Sequence, residues 1–229
     1  MTNPTFENIG ACVFDAYGTL FDFNAAANRF KGELGGKADK LNEIWRMKQL
    51  QYTWLRSLMG AYVDFWTLTG NALDYAMEAV DLDDAALRDK LMNAYLTLDA
   101  YPEVPSMLEA LKAKGIKTAI LSNGEPRMLK AAVEGAGLSD LLDETLSVED
   151  VGIYKPHASV YQLAVDRLGV PADRISFQSA NSWDAAGAAH FGFRVAWCNR
   201  FGQGREHLTA QPEAEITSLD QLLPIVGAA

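Results

Sequence analysis

Five short apolar runs, each stopped by a polar turn, constrain the fold of this chain more than any other feature. Residues 9–14 form the first and stop at Asp15-Ala16-Tyr17-Gly18-Thr19. Residues 117–121 end at Ser122-Asn123-Gly124, and 145–148 lead into Gly152-Ile153-Tyr154-Lys155-Pro156. The fourth run, 174–177, ends at Gln178-Ser179-Ala180-Asn181, and 193–198 is the fifth. Runs of this length read as buried strands. Between the later ones the period changes: Val104, Met107, Leu108 and Leu111 recur at helical spacing before Gly115, as do Val160, Leu163, Ala164 and Leu168 before Gly169. Further helices are expected at 125–136 and 182–190. Apolar strands alternating with helices predict an α/β fold, a parallel sheet with helices on both faces. Right-handed crossovers then bring the carboxyl ends of all strands to one edge, where ligands bind in such sheets.

The stretch 21–99 breaks the alternation. It is helical, with candidates at 24–34, 39–59, 63–80 and 84–97, and reads as a helical bundle inserted as a cap over the sheet edge. The expected organisation is a core of 1–20 and 100–229 with a cap of 21–99. A chain of 229 residues is long enough for both. The last residues, 222–229, are expected to fray.

Composition narrows the partners. Thirty acidic residues against twenty Lys and Arg leave a net charge of −10, which argues against nucleic acid and anionic membranes. An anionic substrate would need a local cationic pocket. No apolar run is long enough to span a bilayer, and residues 1–10 do not resemble a signal peptide. Cys12 and Cys198 lie in apolar runs and read as buried reduced thiols, so a cytoplasmic location is expected.

Each polar strand end has an ordinary reading beside a chemical one. Asp15 is either a carboxylate exposed at the ligand edge or a turn former. Ser122-Asn123-Gly124 offers a hydroxyl, an amide and a bend of N–H groups suited to an anion, yet Ser-Asn-Gly is also a common turn. Lys155 precedes Pro156, which can start a helix, and would project over the sheet edge if it is not a solvated surface lysine. Asn181 or Ser182 can cap the helix that follows, with Ser179 and Asp184 nearby. Asp22 and Asp64 read as solvated or capping groups.

Taken in order, Asp15-Ala16-Tyr17-Gly18-Thr19, Leu121-Ser122-Asn123-Gly124, Tyr154-Lys155-Pro156 and Ser179-Ala180-Asn181-Ser182-Trp183-Asp184 resemble the haloacid dehalogenase superfamily. The cap segment from Ile44-Trp45-Arg46-Met47 to Leu58-Met59 is similar to that of the L-2-haloacid dehalogenases (type II). The resemblance runs from about residue 8 to about 202. It implies a Rossmann-like core, a helical cap, a homodimer, no cofactor or metal, and a small anionic haloacid as substrate.

Most members of the superfamily are phosphatases, which place a general-acid Asp two residues after the nucleophile. Here Tyr17 stands there, a phenol with an ordinary pKa near ~10. Phosphatases also hold Mg²⁺ with an Asp after the fourth strand, where this chain has Ser179-Ala180, and Mg²⁺ wants hard oxygen ligands. A halide leaving group needs no proton and a carbon electrophile no metal. The resemblance therefore implies that Asp15 attacks C2 of a 2-haloalkanoate and forms an ester that water hydrolyses at the carbonyl. Lys155, Asp184, Ser179 and Asn181 are assigned to the second half, with Asp184 orienting Lys155 and helping to activate water. Ser122 and Lys155 would bind the substrate carboxylate, and Thr19 would order the nucleophile loop. Arg46 would receive halide, helped by Gln49 and Asn123, while Tyr17, Leu50, Phe65 and Trp183 wall the pocket or merely pack cap on core. Ala180, where a small polar residue is expected, could alter the bonding that holds Asn181. A Mg²⁺-dependent phosphatase, a ring-opening hydrolase using the same ester, and a non-catalytic binding module remain as alternatives.

Overall fold

The computed structural model describes residues 4–23 and 29–229. The apolar runs become strands β1 (Ala11–Phe14), β2 (Lys117–Ser122), β3 (Glu144–Ser147), β4 (Ile175–Ser179) and β5 (Arg194–Cys198). A sixth, β6 (Ala214–Ile216), completes a sheet of order β3-β2-β1-β4-β5-β6 in which every neighbouring pair is parallel. Strand β6 was not expected because it is three residues long with Glu215 in its middle, too short for an apolar run. Strand β1 lies at the centre, Val13 pairing with Ala119 on one side and Phe177 on the other. The chain winds outward first through β2 and β3, then through β4 to β6. The order of winding therefore reverses beside β1, and a crevice opens at that strand's carboxyl end.

Helices α1 (Lys31–Leu34), α2 (Ala38–Met59), α3 (Phe65–Ala79) and α4 (Ala85–Ala94) lie between β1 and the helix that precedes β2. The helix expected over 24–34 is seen from Lys31, since 24–28 lie outside the described residues. Trp45 and Gln49 of α2 both bond Thr69 of α3, through its carbonyl at 3.0 Å and its hydroxyl at 2.8 Å. Asp64 caps α3, its carboxylate accepting from the Thr67 N–H at 2.7 Å. That is the local bond the four unpaired N–H groups of a helix start require. The chain leaves the sheet edge at residues 20–22 and returns at 99–101, and these two crossings are zipped together. The Asp22 N–H donates to the Asp99 carbonyl at 2.9 Å and the Tyr101 N–H to the Leu20 carbonyl at 3.0 Å.

The core helices are α5 (Val104–Ala113), α6 (Pro126–Gly135), α7 (Ala158–Leu168) and α8 (Ser182–Phe191), followed by the short α9 (Leu222–Ile225). Pro156 does not start α7. It follows a cis peptide bond from Lys155, and the helix begins two residues later with His157 as its cap. The chain end is also not frayed: Leu222, Ile225 and Val226 are buried, and the Phe6 N–H donates to the Ile225 carbonyl at 2.6 Å. Their helical spacing, with Leu219, supplies an apolar face that the core covers.

Candidate active site

Asp15 follows β1 directly, and its N–H still belongs to the sheet, donating to the Gln178 carbonyl at 2.9 Å. The turn after it bends at Gly18, whose φ of 84° suits glycine alone among common residues. The two oxygens of Asp15 are held differently. Its Oδ2 accepts from Asn181 Nδ2 at 2.8 Å, Ser179 Oγ at 3.3 Å and Thr19 Oγ1 at 3.4 Å. Its Oδ1 accepts from Lys155 Nζ at 3.1 Å. Both hydroxyls are oriented from behind: the Ala180 N–H donates to Thr19 Oγ1 at 2.8 Å and the Asn181 N–H to Ser179 Oγ at 3.1 Å. With an N–H already directed at each hydroxyl oxygen, its own proton is left for Asp15. Ala180 thus contributes through its backbone, and Asn181 is held without a polar side chain at position 180. Asn181 stands at the cap position of α8, but its side chain serves Asp15 instead of the helix.

Lys155 is buried and lies between two carboxylates, bonded to Asp184 Oδ2 at 2.8 Å as well as to Asp15. Burial pulls its ammonium toward deprotonation, but Asp15 and Asp184 more than offset this and hold it above the ordinary lysine value. Burial raises the Asp184 carboxyl, and the Lys155 charge opposes that rise. The second oxygen of Asp184, Oδ1, accepts from the Tyr161 hydroxyl at 2.8 Å. Asp184 is fully buried behind Lys155 and bonded to it.

The cap supplies Arg46, Leu50 and Trp54 from one face of α2, at helical spacing i, i+4, i+8. Arg46 Nη2 donates to Asn181 Oδ1 at 3.0 Å and its Nη1 to Gln49 Oε1 at 2.7 Å. Between cap and sheet edge remains a cramped cavity, about 310 Å³ of unfilled space. It is lined by Asp15, Tyr17, Arg46, Leu50, Phe65, Ser122, Asn123, Lys155, Asn181 and Trp183. A larger one, about 950 Å³, adjoins it beyond Arg46 and shares Tyr17, Arg46, Leu50, Asn181 and Trp183. Tyr17 stacks on Phe65 with ring centres 6.0 Å apart, and burial followed by the charges around it drives its phenol well above the usual tyrosine range. It is a still poorer proton donor than a free tyrosine.

A profile of the family described as haloacid dehalogenase-like hydrolases matches residues 9–192. This chain belongs to that family. It is 46% identical to (S)-2-haloacid dehalogenase 1 of Pseudomonas sp. (strain CBS-3), over 94% of this chain and 96% of that one. It is 45% identical to (S)-2-haloacid dehalogenase 4A of Burkholderia cepacia, over 96% of each. Among solved structures, the L-2-haloacid dehalogenase of Xanthobacter autotrophicus with chloropropionic acid covalently bound superposes with a TM-score of 0.87. It is 36% identical and the match covers 93% of this chain and 96% of that one.

In this dehalogenase-like hydrolase, ten of the fourteen residues expected at the site line one cavity. The other four stand directly behind it. Thr19 and Ser179 hold Asp15, Asp184 holds Lys155, and Gln49 holds Arg46. Gln49 was expected to touch substrate. Instead it is buried and saddles Arg46, its amide nitrogen anchored to Thr69 Oγ1 at 2.8 Å. The expected anion bend at 122–124 is partly spent internally, because the Gly124 N–H donates to Ser122 Oγ at 3.0 Å. The Ser122 proton and the Asn123 amide nitrogen remain for a ligand, since Asn123 Oδ1 is taken by the Lys155 N–H at 3.1 Å. Sequence reasoning missed Tyr161. It sits beneath Gly187, where a Cβ would come within 2.7 Å of its hydroxyl, so that glycine keeps open the place from which Tyr161 reaches Asp184.

Proposed function

We propose that this hydrolase converts short L-2-haloalkanoic acids to 2-hydroxy acids with inversion, through an ester on Asp15 and without a metal. The observation that carries the reading is the asymmetry of Asp15. Its Oδ2 is saturated by three donors, whereas Oδ1 has Lys155 and a lone pair to spare. Oδ1 is therefore the nucleophile. It attacks C2 from the side opposite the halogen, the carbon–halogen bond breaks, and the electron pair leaves as halide toward Arg46. The substrate carboxylate is held by the Ser122 hydroxyl and the Asn123 amide, with the Lys155 charge nearby.

In the ester, Oδ2 is the carbonyl oxygen, and its three donors become an oxyanion hole for the second step. Water attacks the ester carbonyl carbon, negative charge collects on Oδ2, and Oδ1 departs with the product as an alkoxide. Of the two protons the water brings, one restores the Lys155 ammonium after it has served the alkoxide and the other passes to solvent as Asp15 returns to a carboxylate. Lys155 already touches Oδ1, so its ammonium protonates that alkoxide, with Asp184 behind it to balance the charge. A Mg²⁺-dependent phosphatase fits this site poorly. Tyr17 replaces the general acid, Ala180 offers no ligand, and the ammonium of Lys155 already neutralises Asp15.

A single turnover in ¹⁸O water with enzyme in excess tests the scheme. Product oxygen is expected from Asp15, unlabelled, with the label appearing in the enzyme; label chiefly in the first product overturns the ester. Chloride release from L-2-chloropropionate should persist in EDTA, while an aryl phosphate with Mg²⁺ is left intact. The segment 21–99 acts as the cap domain over the core of 1–20 and 100–229. The chain works as a homodimer in the cytoplasm, a reading supported by the resemblance, by two buried free cysteines and by an exposed apolar stripe on α2. No helix among the described residues is long and apolar enough to cross a membrane.

A further inference from the structure

Arg200 lies just past β5, on the same sheet edge as the site, yet it touches none of the residues assigned a step in the reaction except through a backbone carbonyl. Its guanidinium joins the core-side roots of the two crossings between core and cap. Nη2 donates to the carbonyl of Thr19, the residue before the outgoing crossing, at 3.0 Å. The same nitrogen pairs at 2.5 Å with Oε1 of Glu103, just past the returning crossing, and the guanidinium lies 4.0 Å from the ring centre of Tyr101, its last residue. Side chains of this pair are 9% and 18% exposed, so solvent screens them little. Glu103 is anchored in turn, its Oε1 accepting from the Leu219 N–H at 3.4 Å. Burial alone would raise its carboxyl, but backbone donors and Arg200 more than offset this and hold it ionised.

The location matters because the site is split between two bodies. Asp15, Lys155, Asn181 and the oxyanion donors all belong to the core, whereas Arg46 arrives on α2. The Arg46–Asn181 bond at 3.0 Å depends on the angle at which the cap leaves the core. That angle is set at 20–22 and 99–101, where two backbone hydrogen bonds, which together make an isolated bridge between Phe21 and Ala100, join the crossings. A planar guanidinium that engages a carbonyl, a carboxylate and a ring face at once fixes direction as well as distance.

We propose that Arg200 is a positioning residue that clamps this hinge and so keeps the cap-borne Arg46 in register for halide departure, with Glu103 as its anchor. The inference rests on the proposed role of Arg46. Its signature is a loss that falls on one step: carbon–halogen cleavage needs the cap, whereas in ester hydrolysis Arg200 reaches the site only through the Thr19 carbonyl, and the Thr19 hydroxyl keeps the Ala180 N–H that orients it.

The test is Arg200→Gln, followed by first-turnover halide release and by hydrolysis of the preformed ester. Halide release is expected to slow by about tenfold to a hundredfold, the range that misplacement by about an ångström can cost. Ester hydrolysis should stay within about twofold of wild type, and Arg200→Lys should recover part of the loss because it keeps the charge. Hydrogen exchange at the Asp22 and Tyr101 amides should accelerate in Arg200→Gln while the Val13 and Phe14 amides in β1 remain protected. Parallel loss in both steps, or unchanged exchange at the hinge, overturns the clamp. If Arg200→Gln fails to fold, Glu103→Gln is measured in the same way, with the same selective loss expected and the same outcomes against it. Failure of the underlying reading looks different: Arg46→Lys would then release halide at the wild-type rate whatever happens at the hinge.

Discussion

Asp15 and Lys155 show what one carboxylate and one ammonium can do when each is held by different neighbours. Because Asp15 and Asp184 together outweigh burial, Lys155 stays protonated above its ordinary value of 10.5. The sign for activity follows directly. In the proposed mechanism the protonated form is the active one, its pKa in the free enzyme is raised, and so kcat/KM should hold on the alkaline side up to and beyond that value while the fold survives. Removing Asp184 deletes an upward influence and leaves burial, which pulls down, so Asp184→Asn should give a pH–rate profile with a falling alkaline limb at lower pH. A profile unchanged in shape would mean that Lys155 titrates independently of Asp184. The donors on Oδ2 predict a different signature. Thr19→Val should slow ester hydrolysis by roughly 10²-fold, the usual cost of one oxyanion donor, and let the alkylated enzyme accumulate for mass spectrometry. Absence of any accumulated ester, with halide release slowed equally, would place Thr19 in the first step. Asp15, Lys155 and Asn181 were legible in sequence because each follows a strand end. Tyr161 was not. It lies in α7 beside Val160, one turn before Ala164 and two before Leu168, where an aromatic reads as core, and only its hydroxyl distinguishes it.

At the level of elements, α2 carries two jobs on two faces, and the sequence pattern showed one of them. The apolar positions Leu41, Ile44 and Trp45 announced a helix packed on its neighbours. That Gln49 would be buried and spent on Arg46 could not be read from spacing, since its partner Thr69 lies twenty residues away on α3. Gln49→Leu should therefore leave cap packing nearly intact and weaken the hold on Arg46. Slower halide release with unchanged ester hydrolysis is expected, and equal loss in both would contradict the saddle. The cap of α3 predicts stability instead of rate: Asp64→Ala removes the acceptor for the Thr67 N–H and should cost about 1 kcal/mol, read as a lower urea midpoint with activity per folded molecule unchanged. The elements missed by periodicity, β6 and α9, are three and four residues long. They exist because β5 and the amino-terminal segment offer edges to pair with, and that is tertiary information.

The molecule as a whole carries a net charge of −10 and yet must admit an anion. Its answer is local: the cavity presents Arg46 and Lys155 while the acidic excess lies elsewhere on the surface. Surface apolarity is local too. Met47, Leu55, Leu58 and Met59 recur along the face of α2 turned from the core, and Leu58 and Met59 are 85% and 68% exposed. An acidic surface with several exposed apolar side chains along one helix is what a self-association site looks like, because isologous contact lets them cover one another. Leu58→Glu with Met59→Glu would place four like charges across such an interface and leave every cavity-lining residue in place. Light scattering should then report a monomer mass for the double variant and a dimer mass for the parent chain, the state the proposed homodimer requires. Because the catalytic groups all come from one chain, that monomer should still release halide at a rate within about threefold of the parent, since substitutions on an exposed surface rarely disturb what lies beneath. Unchanged mass would move the interface to another face. A monomer without activity would show that the partner steadies α2 and, through it, Arg46.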